Sequence, residues 1–152
     1  MDDGHINMPE GEVYTAPIDD SAEGYISFEF PAVFAGQFVE VIKLSFSKGE
    51  VVEAKADKNK ALLQELIEMD IGARRIGEFG VGTNFGISHY CYDLLFDEKM
   101  AGTPHIALGR AYPKCGGINK SAFHWDLVKD LRSHGALYLD GEKMIEKGEF
   151  LV

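Results

Sequence analysis

Apolar and polar positions alternate with the period of strands over the stretch from Gly24 to Asp57. Tyr25-Ile26-Ser27-Phe28-Glu29-Phe30 reads as one strand, and Phe38 to Phe46 as another that puts Phe38, Ile42, Leu44 and Phe46 on one face. Lys48-Gly49 supplies a turn, and Val51 to Ala56 is the strand partner beyond it. The period then changes. From Lys58 to Met69 the spacing of Leu62, Leu63, Leu66 and Ile67 makes one apolar stripe, which predicts the longest helix of the chain.

Beyond the helix, Gly72 to Gly86 is rich in glycine, and Arg75-Ile76-Gly77-Glu78-Phe79-Gly80 fits a strand that either lets another backbone approach closely or carries ordinary bulges. His105 to Ala111 and Phe123 to Val128 alternate as two further strands, and Asp140-Gly141 turns a hairpin from Ala136 to Ile145. Strands outnumber helices, without repeats, low-complexity runs or a long linker. The expected fold is α+β: a strand-rich mixed or antiparallel sheet, partly barrel-like, with one main helix near residues 58–70.

Composition narrows the class. At 152 residues with 45% hydrophobic and 26% charged residues, the chain fits one globular domain with a real core. Its formal charge of −10, from 25 acidic and 15 basic residues, comes without a basic cluster able to track a phosphate backbone, so nucleic acid is not an expected partner. That acidity fits plain solubility, or carboxylates gathered around divalent cations. The acidic start Met1-Asp2-Asp3 is unlike a secretory signal and no apolar run reaches a membrane span, so a cytoplasmic protein without a membrane partner is expected. Cys91 and Cys115 are isolated, which argues against a disulfide framework or zinc knuckle and for buried or inert thiols.

Three clusters could do chemistry. In His124-Trp125-Asp126, strand alternation sends the imidazole and the carboxylate to one face and the indole to the other. That pair suits a divalent ion or a hydrogen-bonded polar network. His105 opens a strand whose same-face neighbours, Ala107 and Gly109, are small and leave room for a ligand or for close packing. Tyr112 has the opposite parity to His105, so both reach one site only if a bulge intervenes or the strand ends first. Glu12, Glu78 and Glu98 add carboxylates beside apolar residues; each is equally readable as a surface acid, with Arg74 or Arg75 as a salt-bridge partner for Glu78. His5, His89 and His134 are expected to be solvent-facing or locally hydrogen-bonded.

Taken in order, Gly11-Glu12-Val13-Tyr14-Thr15-Ala16-Pro17, Gly72-Ala73-Arg74-Arg75-Ile76-Gly77-Glu78, His105-Ile106-Ala107-Leu108-Gly109 and His124-Trp125-Asp126 resemble the C-terminal catalytic half of the M29 metallo-aminopeptidases, which are thermophilic-type and leucyl aminopeptidase-like. The resemblance runs from Asn7 onwards. It implies metal ligands at Glu12, Glu78, Glu98, His105, His124 and Asp126, a catalytic tyrosine at Tyr112, and Glu78 as bridging ligand or general base. It also implies two divalent ions (zinc, cobalt or manganese), peptides with a free N-terminus as substrates, and a homodimer or other homo-oligomer. The stretch from Glu98 to His105 is slightly longer than the family pattern. Residues 1–152 are expected to be one metal-binding catalytic domain, without the α/β domain that precedes it in the family. Two other readings follow from that difference: a domain that binds metal without peptidase activity, and a non-enzymatic β-rich interaction module.

Overall fold

The structure is a computed structural model that describes residue 5 and residues 7–151, so the acidic start at Met1–Asp3 lies outside the described residues. The chain begins with β1 (Glu12–Thr15), β2 (Gly24–Phe28), β3 (Ala32–Phe34) and β4 (Gln37–Val39). Next come β5 (Ile42–Ser47), β6 (Glu50–Lys55), helix α1 (Lys60–Ile67) and β7 (Ile76–Gly82). A one-turn helix α2 (Leu94–Asp97) precedes β8 (Pro104–Gly109) and β9 (His124–Val128), and β10 (Ala136–Leu139), β11 (Glu142–Glu146) and β12 (Glu149–Phe150) complete the order. The strand-rich expectation is met. The described strands form four antiparallel sheets: β1-β7-β8-β9, β2-β5-β6, β3-β4 and β10-β11-β12. Among the described strands none of these sheets closes on itself.

The turns explain where the pattern holds. Lys48-Gly49 and Asp140-Gly141 both adopt positive φ at their two central positions, the geometry that matches the twist of a tight hairpin. Ala35-Gly36 does the same between β3 and β4, although alanine gives no turn signal, and that hairpin is not foreseen from the sequence. The single strand expected from Phe38 to Phe46 is in fact two. Val41 takes φ 56° and Glu40 bridges to Lys58, so the chain bends between β4 and β5. Phe38 consequently leaves the face that buries Ile42, Leu44 and Phe46.

Helix α1 is the longer of the two described α-helices and starts two residues later than the stripe suggests. Asn59 precedes it in the left-handed region and donates from Nδ2 to the Phe38 carbonyl, pinning the helix start to β4. Its Leu63, Leu66 and Ile67 are buried. They join Phe28, Ile42, Leu44, Phe46 and Val51 from the smaller sheets, and Ile106, Leu108, Trp125 and Leu127 from β8 and β9, in one core cluster. Trp125 adds a hydrogen bond from its indole to the Val33 carbonyl at 3.0 Å, tying the four-stranded sheet to the β3-β4 hairpin.

The register of the four-stranded sheet decides what its other face carries. Glu78 and Asp126 both stand opposite Ala107, His105 opposite Gly80, and His124 opposite Gly109. Cross-strand partners point the same way, so Glu78, His105, His124 and Asp126 share the face turned away from Ile106, Leu108, Trp125 and Leu127. Glu12 pairs with Gly82 at the sheet edge and completes that face.

Candidate metal centre

Each strand brings its polar residue in with a specific local device. In β7 the register shifts between Ile76 and Glu78, which places a bulge at Gly77. A side chain there would collide with the carbonyl oxygens of Gly109 and Arg110, so the bulge needs glycine and the close approach expected of this segment is realised. Arg75 then turns away to pair with Asp19 and Glu50, and Arg74 pairs with Glu68. Neither arginine pairs with Glu78, so the salt-bridge alternative for that carboxylate is not realised. β8 ends at Gly109, φ 96°, before the parity of Tyr112 matters, and the loop beyond carries the tyrosine back over the site.

The result is two overlapping groups of nitrogen and oxygen donors. Glu12, Glu78 and His105 offer atoms within 4.8 Å of one another, and so do Glu78, His124 and Asp126. Glu78 belongs to both. Its Oε1 lies 3.7 Å from His105 Nε2, and its Oε2 lies 3.5 Å from His124 Nε2. Glu12 Oε2 is 3.6 Å from His105 Nε2, and Asp126 Oδ2 is 3.4 Å from His124 Nε2. These separations are too long for hydrogen bonds. They match the roughly 3.4 Å expected between two ligands that each sit about 2.1 Å from one ion at a tetrahedral angle.

Burial and hydrogen bonding of the donors also suit an ion. Both ring nitrogens of His105 are buried with no hydrogen-bond partner, a costly arrangement that a cation at Nε2 relieves. His124 Nδ1 lies 2.9 Å from the Arg110 carbonyl; as donor there it leaves the Nε2 lone pair directed at Glu78 and Asp126. Without an ion the carboxylates set the proton affinities. Burial lowers the pKa of His124, but Asp126, the Arg110 carbonyl and Glu78 outweigh it and push the ring up to about 9. His105 is likewise raised, against its burial, by Glu78, Asp126 and Glu98. Burial is the main cause that raises Glu12, with Lys99 and His105 opposing it. The residues present therefore fit divalent metal.

A cavity of about 650 Å³ opens onto this face, lined by Glu12, Glu78, Glu98, Tyr112, His124 and Asp126 among others. Tyr112 lies at the cavity, its ring 5.6 Å from the His124 ring and 5.5 Å from Tyr14. Burial and the carboxylates of Glu78, Asp126 and Glu98 push its hydroxyl up to about 12, so it stays protonated and able to donate. Glu98 lines the cavity but stands outside both donor groups, because its carboxylate lies against the ammonium of Lys99. Burial pushes that carboxyl up to about 7. Leu94, Leu95 and Cys115 also line the cavity and Lys99 is fully buried beside it; the sequence assigned none of them to the site. Cys91 is exposed and Cys115 half-buried, so the thiols are free as expected but not buried. His5, His89 and His134 are exposed and outside the site.

Comparison with known proteins points to a metalloprotease family. The family model for thermophilic metalloproteases, M29, matches residues 3–150. Aminopeptidase T of Thermus thermophilus is 34% identical over 96% of this chain and 40% of its own length. Aminopeptidase AmpS of Bacillus subtilis is 33% identical over 88% of this chain and 33% of its own length. The solved structure of wild-type AmpT from T. thermophilus superposes with a TM-score of 0.80 at 32% identity, covering 96% of this chain and 41% of that one. A dioxygenase for 2,5-dihydroxypyridine from Pseudomonas putida shares the fold alone, with a TM-score of 0.70 at 20% identity. The chain thus spans about two fifths or less of the length of these aminopeptidases.

Proposed function

The chain belongs to the M29 family of thermophilic metalloproteases, and on that footing we propose that it forms the metal-binding catalytic part of an aminopeptidase. The reaction is hydrolysis of the N-terminal peptide bond of peptides at a centre for two divalent ions. One observation carries the reading: the two oxygens of Glu78 face two different histidines, His105 and His124. Glu12, Glu78 and His105 would hold one ion, and Glu78, His124 and Asp126 would hold the other. A nitrogen and oxygen donor set without thiolate suits zinc, cobalt or manganese.

Bound there, divalent ions supply Lewis acidity to the scissile carbonyl and acidify the attacking water. The chain's own groups do the rest. Glu78, whose two oxygens face different histidines, would be a ligand common to both positions rather than a free base, since two cations would drain its basicity. Tyr112 donates a hydrogen bond to the oxygen on which negative charge develops. Leu94 and Leu95 form an apolar wall for the first side chain of the peptide. The chain acts as one catalytic domain in a cytoplasmic homo-oligomer, whose size light scattering measures. No described helix is long and apolar enough to cross a membrane.

The test is metal per chain by elemental analysis after dialysis against cobalt or zinc, for wild type, His124→Ala and Glu78→Gln. About two ions in wild type and fewer in both variants is the expected result. Unchanged metal with lost turnover in Glu78→Gln would make Glu78 the base instead, and no metal in wild type would sink the centre. Because the chain spans 40% or less of the relatives' length, hydrolysis of leucine p-nitroanilide is the separate check on a second reading, in which this part binds metal without turning substrate over.

A further inference from the structure

Lys99 lies at the centre, and the aminopeptidase reading gives it no role. Its side chain is fully buried, which is rare for lysine unless the charge is paired. The pairing is with the centre itself. The ammonium contacts Glu98 Oε1 and lies 3.4 Å from Glu12 Oε1, while the other oxygen of Glu12 faces His105 Nε2 at 3.6 Å. Glu12 is therefore shared between a lysine and the first ion position. The root of the lysine is anchored in both directions: its N–H donates to the Phe96 carbonyl at 3.1 Å and its own carbonyl accepts from Asn84 N–H at 2.9 Å. The ammonium has little freedom to leave.

The second donor group has no such competitor. Among the described residues Glu78 and Asp126 form ion pairs with the two histidines and with no lysine or arginine, and Lys114 in the same cavity lies over the rings of Tyr14 and Tyr112. A buried salt bridge that merely staples the segment after α2 to β1 would serve equally well away from the cavity, yet both of its carboxylates line the cavity wall. A fixed positive charge there repels an incoming dication and removes part of the carboxylate charge that would bind it.

We propose that Lys99 is a resident cation of the centre, which keeps Glu98 out of the ligand set and makes the Glu12/Glu78/His105 position the weaker of two unequal ion sites. Lys99 is thus a positioning residue. The inference rests on the two-ion reading above, and its test separates the two ideas.

Zinc titration calorimetry on the whole chain compares wild type, Lys99→Met and Lys99→Arg. Wild type should bind in two steps, and Lys99→Met should tighten the weaker step by at least about tenfold while leaving the tighter one within about threefold. Lys99→Arg, which keeps the charge, should stay close to wild type. A lysine with only a structural role predicts the opposite for Lys99→Met, a weaker or unchanged second step, and that result overturns the inference. Should Lys99→Met fail to fold, anomalous diffraction from the zinc-loaded wild type decides: Glu98 on the ammonium and away from both ions supports the inference, and Glu98 bound to either ion overturns it. Absence of zinc binding in wild type would overturn the metal centre itself, and the role of Lys99 with it.

Discussion

Replacing Gly80 by alanine tests the centre without replacing any of the proposed ligands. Gly80 sits opposite His105 across β7 and β8, and a Cβ built on it would lie well under 3.0 Å from Nε2 and Cε1 of the imidazole and 3.1 Å from Cδ2. Carbon and nitrogen atoms rest comfortably at roughly 3.5 Å, so the ring must withdraw by about an ångström or more. It has nowhere to go, because the His105 side chain is fully enclosed. Overpacking of this kind costs about 1–3 kcal/mol, or roughly 4–8 °C in Tm for a 2 kcal/mol loss in a chain of this size. The functional loss is more specific. Metal–ligand distances tolerate only about 0.2 Å, so a displaced Nε2 would forfeit the ion that the proposed centre holds with Glu12 and Glu78. Elemental analysis should show Gly80→Ala losing about one ion per chain while the His124 and Asp126 position stays filled, and melting in chelator should show the Tm drop. A full metal complement at wild-type affinity would refute this account of why the strand has no side chain there.

Other consequences are equally measurable. Tyr112→Phe should keep its metal and lose about 10²–10³ in kcat with the leucine substrate, and a loss of metal instead would assign the hydroxyl to structure. Ion uptake should tighten as pH rises, by up to about tenfold per pH unit until about pH 9, because the ion must displace the proton that His124 holds up to about 9; calorimetry in buffers of different ionisation enthalpy counts that proton, and pH-independent uptake would contradict it. Asp70 joins the end of α1 to the loop before β9 by accepting from Ser121 Oγ and from the N–H groups of Gly72 and Ala122. Burial opposes them, but these donors hold its pKa below the ordinary 3.8. Its contribution is therefore present above pH 3.8 and lost as pH falls through the lower folded value. Asp70→Asn should cost about 1 kcal/mol at pH 7, a gap that closes in acid denaturation curves below pH 3.8, and a gap constant with pH would disprove the linkage.

The strands that carry the site were readable because they alternate. His124-Trp125-Asp126 splits its polar and aromatic side chains between two faces in the chain as in the fold, and His105 with Ala107 and Gly109 marks a face too crowded for anything larger. The bend at Val41 left no trace, since valine is a good strand former and the left-handed geometry there is imposed by contact between Glu40 and Lys58, residues far apart in sequence. Lys99 was equally invisible. In Asp97-Glu98-Lys99 a buried ammonium and a solvated one are written identically, and only the arrival of β1 from the other end of the chain closes Glu12 over it. The two-carboxylate environment is a tertiary fact, and so is the separation of Glu98 from the donor groups.

The pairing register described for β7, β8 and β9 has a bearing on how the chain reaches its fold. Strand side chains alternate faces, so a slip of one residue between β8 and either neighbour would swing His105 into the apolar interior and expose Ile106 and Leu108. Such a mispaired sheet still satisfies its backbone hydrogen bonds, but it cannot assemble Glu78 between the two imidazoles. Divalent ions present during refolding would therefore select the correctly paired sheet from its near neighbours, and the yield of native protein becomes a property of the metal in the refolding buffer as well as of the polypeptide.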